Sequence, residues 1–339
     1  MTPTLNQAPF LDAALRSVRG QTYPHIEHIV VDGGSTDGSL ELLRVASEGR
    51  GGSVGERGGS VGELRWISEP DTGMYDALNK GLELAQGDVL AYLNSDDAYL
   101  PWAIETVMRI FQRRPEIELV YGDGIKIEEE TGVQRLRLFP PFDRVSLANY
   151  ESLMQPAVFW RRSLYDRVGG FDSGMRFVAD LDYWLRASAS SAGITHVNEV
   201  LAIERIHAGR LSSAQKEAMA AEDQSMRAKH AGDEGGPEGR KRAAQRDSSF
   251  QVLLFRRFLI AAYIRRLPVP LPYPWKRFLR DGQVKVRWRK VWRGSKPYQR
   301  KALRNAVVSG LAANLLEGRD AASTGAASTG AASGAASGA

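Results

Sequence analysis

The feature that most constrains this chain is a short apolar run that ends on two adjacent carboxylates. Val89-Leu90-Ala91-Tyr92-Leu93 is followed at once by Asn94-Ser95-Asp96-Asp97. An apolar stretch of that length, bounded by polar punctuation, predicts a buried strand. Open α/β sheets take their ligands at the carboxyl ends of such strands. Two neighbouring acids placed there repel each other unless a cation or hydrogen-bond donors neutralise them. A hard divalent metal carrying phosphate groups is the natural occupant. The competing reading is a solvated turn that caps the helix starting near Pro101.

The rest of the chain supplies matching pieces. Leu11, Leu15 and Val18 recur at helical spacing, and Gln21-Thr22-Tyr23-Pro24 closes that helix. Ile26 to Val31 predicts a β-branched strand stopping at Asp32-Gly33-Gly34-Ser35-Thr36-Asp37-Gly38, and a helix through Leu40, Leu42 and Leu43 follows. A carboxylate at the end of a strand, ahead of a glycine turn and a helix, suits a nucleotide-binding half-fold. Asp32 bonding only the amides of its own turn is equally open. Residues 49–63 hold Gly-Gly-Ser-Val-Gly-Glu twice, too little apolar surface to fold, and read as a flexible insertion. Leu64 to Ser68 resumes a strand. Asp71 is a second strand-end carboxylate, and a helix begins near Met74.

Further strands are expected at Leu119 to Asp123, Gln155 to Trp160 and Val200 to Ile203, with a polar hairpin or edge region over 126–137. A helix from Val178 to Arg186 carries Asp180 and Asp182 near its start, where a carboxylate also serves as an ordinary cap. His207 follows the last strand in a glycine-containing loop, a better place for a ligand than an apolar face.

With 43% hydrophobic residues among 339, the chain can bury one large domain and still carry an appendage. The absence of cysteine excludes disulfides and thiolate metal sites and suits a reducing compartment. No apolar run reaches the roughly 18 residues needed to span a bilayer, and the start lacks a signal-peptide pattern, so the folded part is expected to face the cytosol. The net charge of +5 is unevenly distributed, since residues 240–304 hold twenty basic and two acidic side chains. These shifts divide the chain into a domain at 1–230, a linker at 231–249, a basic amphipathic segment at 250–310 and a low-complexity tail at 311–339. Paired arginines interleaved with Leu, Ile, Phe and Trp over 250–304 suit an anionic membrane surface. Nucleic acid is not the expected partner, because bulky aliphatic residues accompany the charge; docking to another subunit stays open.

Taken in order, Thr2-Pro3-Thr4-Leu5-Asn6-Gln7, Val30-Val31-Asp32-Gly33-Gly34-Ser35, Glu69-Pro70-Asp71-Thr72-Gly73-Met74-Tyr75-Asp76, Asn94-Ser95-Asp96-Asp97, Gly169-Gly170-Phe171-Asp172, Asp180-Leu181-Asp182-Tyr183-Trp184 and His207 resemble the family 2 glycosyltransferases over roughly residues 1 to 215. The resemblance implies an α/β chain with the GT-A nucleotide-diphospho-sugar transferase fold, a mixed and mainly parallel sheet, and a basic amphipathic C-terminal extension. It implies an inverting, metal-dependent enzyme that moves a sugar from a nucleotide-diphosphate donor to a hydroxyl of a glycan or lipid-linked acceptor. It puts Thr2, Pro3, Asp32 and Asp71 around base and ribose and Asp96 near the ribose and donor sugar. Asp97 and His207 would hold Mn²⁺ or Mg²⁺ on the diphosphate. It makes Asp180 the catalytic base; where the family has Glu-Asp this chain has Ala179-Asp180, which leaves Asp182 as a rival. The acceptor is expected around Gln155, Trp160 and Tyr183, with Trp184 in the core.

In the family a hydrophobic strand precedes Thr2-Pro3-Thr4, and most of it is not in this sequence; either the native start lies upstream or the sheet lacks a member beside the nucleotide pocket, and the second case predicts low stability and weak activity. Two rival functions follow. One is a non-catalytic module that binds nucleotide-sugar or glycan. The other is a sugar-nucleotide nucleotidyltransferase, for which the glycine-rich basic loop expected at the first strand's end is not present in Thr2 to Gln7.

Overall fold

The computed structural model describes residues 1–48, 64–150, 152–191, 193–210 and 215–230, together with Gly239 and Lys241. The expected insertion, the basic amphipathic segment and the low-complexity tail, with nearly all of the linker, lie outside the described residues.

Strand and helix alternate through the first half. Strands β1 (Thr2–Thr4), β2 (His28–Asp32) and β3 (Leu64–Ser68) form one parallel sheet in the order β1-β2-β3. Helices α1 (Ala8–Arg19) and α2 (Ser39–Ser47) make the two crossovers, and α3 (Met74–Leu84) leads from β3 to the second sheet. All five residues of β2 are buried, and they divide by parity, as side chains on a pleated strand must. Val30 packs with Leu11, Leu15 and Leu43 on one face, while Ile29 and Val31 pack with Ala77 on the other. A strand covered on both faces is what a β-branched run such as Ile-Val-Val dictates.

The second sheet is built differently. Strand β4 (Val89–Leu90) pairs antiparallel with β8 (Val158–Arg161), and β8 antiparallel with β6 (Leu119–Glu128). Strand β6 runs parallel to β9 (Ile194–Ile206), which pairs antiparallel with β5 (Ala98–Tyr99); β7 (Gln134–Arg137) closes a hairpin on β6. The whole is a mixed α/β structure whose parallel pairing is concentrated in the first sheet and in β6–β9. Residue 1 links the two sheets: its amino group donates to the Ala91 carbonyl, and Leu93 N–H donates to the Met1 carbonyl, each at 2.9 Å.

The remaining helices are α4 (Ala103–Arg113), α5 (Arg144–Asn149), α6 (Arg162–Val168), α7 (Ala179–Ser190) and α8 (Lys216–His230). Three expectations needed adjustment. The Val89–Leu93 run is a ladder only over Val89–Leu90, because residues 91 and 93 spend their backbone groups on Met1. Gln155–Ala157 is a single 3₁₀ turn ahead of β8, as Pro156 cannot donate within a ladder. Strand β9 is three times the length expected, since its polar first half is carried by pairing with β6 and not by its own hydrophobicity. Among the described residues no helix is long and apolar enough to cross a membrane.

Candidate active site

A cavity of about 1200 Å³ opens where the first sheet's strand ends meet the second sheet. Its walls come from Pro3, Thr4, Leu5 and Gln7 at the end of β1, the 71–73 turn with the start of α3, the 92–96 segment, the 173–184 region, the end of β9 with the loop after it, and α8. Of the expected site residues, Pro3, Asp71, Asp96 and Asp180 line it.

Asp71 stands beside the glycine turn that follows β2. A Cβ on Gly33 would lie 2.5 Å from Asp71 Oδ2, so only glycine lets this carboxylate lie against the backbone. Asp71 Oδ1 accepts from Gly73 N–H at 2.9 Å. Burial raises its pKa, and the neighbouring Asp32 adds to the rise. Asp32 is completely buried and does not line the cavity. Its Oδ2 accepts from the N–H groups of Gly34 and Ser35, each at 2.9 Å, and from Ser68 Oγ at 2.8 Å, while Oδ1 accepts from Ser35 Oγ at 2.5 Å. It shapes the turn that presents Gly33 to Asp71. Thr2 is likewise buried, its Oγ1 2.9 Å from His28 Nε2, and burial drives the His28 pKa down to about 3.

Asp96 and Asp97 separate in space. Asp96 Oδ2 lies 3.1 Å from His207 Nε2. Asp97 is buried behind it, and its Oδ1 accepts Arg205 N–H at 3.0 Å while Oδ2 has no hydrogen-bond partner. Burial, reinforced by the Asp96 charge, pushes the Asp97 pKa well above its ordinary value. Among the described residues no three His, Asp or Glu side chains are gathered into a ready cation cage. A metal that arrives on a diphosphate does not need one, because one or two carboxylates and the phosphate oxygens suffice. The Asp96–His207 pair and the orphaned Asp97 oxygen are the donors that fit.

Asp180, in the first turn of α7, receives Leu181 N–H at 2.8 Å and the Tyr75 hydroxyl at 3.3 Å on Oδ1. Burial raises its pKa to about 6 despite these two donors. Asp182 has the opposite surroundings. It does not line the cavity; Arg186 Nε bonds its Oδ2 at 2.7 Å and His230 Nε2 its Oδ1 at 2.7 Å. Burial alone would raise its pKa, but the hydrogen bonds from His230 and Arg186 outweigh it and hold the carboxyl low. Two carboxylates two residues apart are thus driven in opposite directions, one toward proton transfer and one toward a fixed ion pair.

The aromatic expectation is corrected. Trp160 and Tyr183 are completely buried in a cluster with Phe171, with centroids 4.7–6.3 Å apart, and neither lines the cavity. Trp184 is in the core as expected, only 2% exposed, and borders the cavity, which Gln155 also lines. The β8 strand turns Trp160 inward, against α7, so the aromatic count of that stretch serves packing. The resemblance implies no role for Tyr75 within its motif, and one cluster carries no motif at all, that in which Glu204 pairs with Lys126 at 3.0 Å and Arg210 at 2.5 Å. Lys126 and Arg210 both line the cavity. Asn79 grips the loop ahead of α7, donating to the Phe171 carbonyl at 2.8 Å and accepting Phe171 N–H at 2.9 Å.

Comparison with known proteins agrees with this architecture. A PGL/p-HBAD biosynthesis glycosyltransferase of Mycobacterium bovis (strain BCG / Pasteur 1173P2) is 32% identical over 212 residues, which is 62% of this chain and 77% of that protein. An uncharacterized glycosyltransferase of Mycobacterium tuberculosis (strain ATCC 25618 / H37Rv) is 32% identical over 198 residues, 58% of this chain and 70% of that one. Among solved structures, S. aureus TarS 1-349 in complex with UDP-GlcNAc superposes with a TM-score of 0.51 at 17% identity, covering 63% of this chain and 59% of that one. The mannosyltransferase PcManGT from Pyrobaculum calidifontis, in complex with GDP-Man and Mn²⁺, gives 0.51 at 16% identity over 93% and 86%. At such identities the structures speak for the fold alone, and that fold is the GT-A type. The model of the family described as Glycosyl transferase family 2 matches residues 1–177, and the chain belongs to that family.

Proposed function

We propose that this glycosyltransferase is an inverting enzyme that transfers a sugar from a nucleotide-diphosphate donor to a hydroxyl of a lipid-linked acceptor, with Asp180 as the base. The observation that carries the reading is one cavity lined together by Asp71, Asp96 and Asp180, carboxylates from three distant parts of the chain. Pro3 and Asp71 receive the nucleoside, with Thr2 and Asp32 holding the strand ends that shape its site. Asp96, Asp97 and His207 hold Mn²⁺ or Mg²⁺, and when bound that ion supplies positive charge to the departing diphosphate. Arg210 and Lys126 add fixed positive charge to the same cavity.

Asp180 accepts the proton of the acceptor hydroxyl. The oxygen then bonds the anomeric carbon from the face opposite the diphosphate as the old carbon–oxygen bond breaks, and the configuration inverts. A base with a pKa near 6 is ionised at neutral pH yet still attracts a proton, the balance that efficient general-base catalysis needs. For the acceptor, Leu147, Leu153, Met175, Phe177, Leu181 and Met219 give the cavity an apolar wall, which favours an acceptor carrying an apolar group over a purely polar glycan. A cytosol-facing enzyme resting on the inner leaflet through residues 250–304 would meet such acceptors at the membrane surface.

The test is product mass spectrometry with UDP- and GDP-sugars, an alkyl or lipid-linked glycoside and a free oligosaccharide, in Mn²⁺, Mg²⁺ or chelator. Metal-dependent transfer to the amphiphilic acceptor, lost in Asp180→Asn, is expected. Donor binding without turnover under every condition would overturn it and return the chain to the class of binding modules.

A further inference from the structure

The first turn of α7 is held by a part of the chain well beyond the family match. Helix amino termini leave several N–H groups without intrahelical partners, and a nearby side chain normally satisfies them. Val178, at the cap position here, has no side-chain oxygen to offer. Glu222 from the middle of α8 instead holds the cap residue and the two residues that lead into it. Its Oε2 accepts Arg176 N–H at 2.9 Å, and its Oε1 accepts Phe177 N–H at 2.7 Å and Val178 N–H at 2.9 Å. Three amide hydrogens on one carboxylate form a charge-assisted set, stronger than neutral caps. From the other side the Tyr75 hydroxyl donates to the Phe177 carbonyl at 3.0 Å, so α3 and α8 hold the Phe177–Val178 peptide unit between them.

Two more contacts fix α8 against this region. His230 reaches Asp182, and Arg227 donates to the Leu147 carbonyl at 3.1 Å while pairing with Asp223. Met219, Asp223 and Arg227 line the same cavity as Asp180.

We infer that Glu222 is a positioning residue for Asp180: by holding the N–H groups of residues 176–178 it fixes where the carboxylate at the start of α7 stands in the cavity. The inference rests on Asp180 acting as the base. An ordinary stabilising cap would contribute to folding alone. This one acts on the peptide units immediately before the reacting group, where a displacement of about 1 Å costs on the order of 100-fold in rate. The ionisable groups around Asp180 are Tyr75 from α3, Tyr92 from the segment after β4, Arg210 from the loop after β9, and Glu222 itself.

The full chain is assayed as wild type, Glu222→Ala and Glu222→Gln for kcat, donor KM, pH–rate profile and thermal midpoint. Glu222→Ala is expected to lower kcat per donor-binding molecule roughly 10- to 100-fold with donor KM held within about twofold. Its acidic limb should fall below the wild-type limb, as water gains access to a loosened Asp180. Glu222→Gln keeps the Oε1 acceptor for Phe177 and Val178 and loses the one for Arg176, so it should lie between wild type and Glu222→Ala. If the alanine variant does not fold, the glutamine variant alone must show a reduced kcat and a displaced limb. A lowered melting point with wild-type kcat and an unmoved limb would overturn the inference. Turnover retained in Asp180→Asn would instead overturn the assignment of the base, so the two failures are distinguishable.

Discussion

Replacing Asp180 by asparagine should make the protein more stable at neutral pH while removing its activity. The amide is the same size, and its oxygen can keep both the Leu181 N–H and the Tyr75 hydroxyl. What it removes is the burden of ionising a carboxyl whose pKa burial raises from 3.8 to about 6. For an acid raised in the folded state, the associated stability is fully present below the unfolded pKa and lost as pH climbs through the folded one. A gap of roughly two pKa units corresponds to at most about 3 kcal/mol. Asparagine does not titrate, so the variant's advantage should open from near nothing at pH 4, grow through pH 5 and 6, and level off above pH 7. At roughly 2–4 °C per kcal/mol, that is a melting point up to about 6–12 °C higher at pH 8. Calorimetric or fluorescence melts of both proteins from pH 4 to 8 read the gap directly. In parallel, wild-type kcat/KM should fall on the acid side with an apparent pKa near 6, and the variant should lose about 10²- to 10⁴-fold in kcat. A constant offset between the two melting curves, or a wild type that is the more stable protein at pH 8, would refute the reasoning.

Asp182→Asn should behave in the opposite sense. The Asp182 carboxyl is held low, so its contribution to stability is present above pH 3.8 and fades as pH falls; losing it should cost about 1.5–3 kcal/mol in urea melts at pH 7, with activity per folded molecule unchanged. Gly33→Ala should push the Asp71 carboxylate aside with little loss of stability, because the obstructing atoms are the end of a side chain. If Asp71 holds the donor, that lost contact is worth about 1.5–3 kcal/mol, or roughly 10- to 100-fold in donor KM in initial-rate assays. His207→Ala should raise the Mn²⁺ concentration needed for half-maximal rate by about tenfold or more, as expected when an imidazole ligand is removed. An unaltered metal titration would take His207 out of the metal site.

The sequence made the centre of the first sheet legible because β2 is covered on both faces and announces itself by a β-branched run. Val30 and Val31 end on Asp32, where the Gly-Gly-Ser turn marks the end of the strand. Strand β9 was half hidden because Thr195 and His196 look like loop, and only pairing with β6 draws them into a ladder. The strand-end acids could be picked out one by one, yet no spacing rule says that Asp96 meets His207 while Asp97 turns inward to Arg205 N–H. Asp180 and Asp182 could not be separated from local sequence, since the partner that decides the matter, His230, lies 48 residues further on. Glu222 carries no signal at all: its partners are backbone amides, which every residue type except proline supplies alike.

The aromatic cluster under α7 gives the enzyme an internal optical gauge. Trp160 and Trp184 stand 5.2 Å apart at 70°, close enough to exchange excitation, and Trp184 forms part of the cavity wall with its indole Nε1–H unpartnered. Both rings are almost wholly buried, so a molecule settling in the cavity acts on Trp184 through the packing around it. Occupancy of the cavity should therefore register as a change in emission of the native protein that Trp184→Phe, which keeps six other tryptophans, reduces or removes.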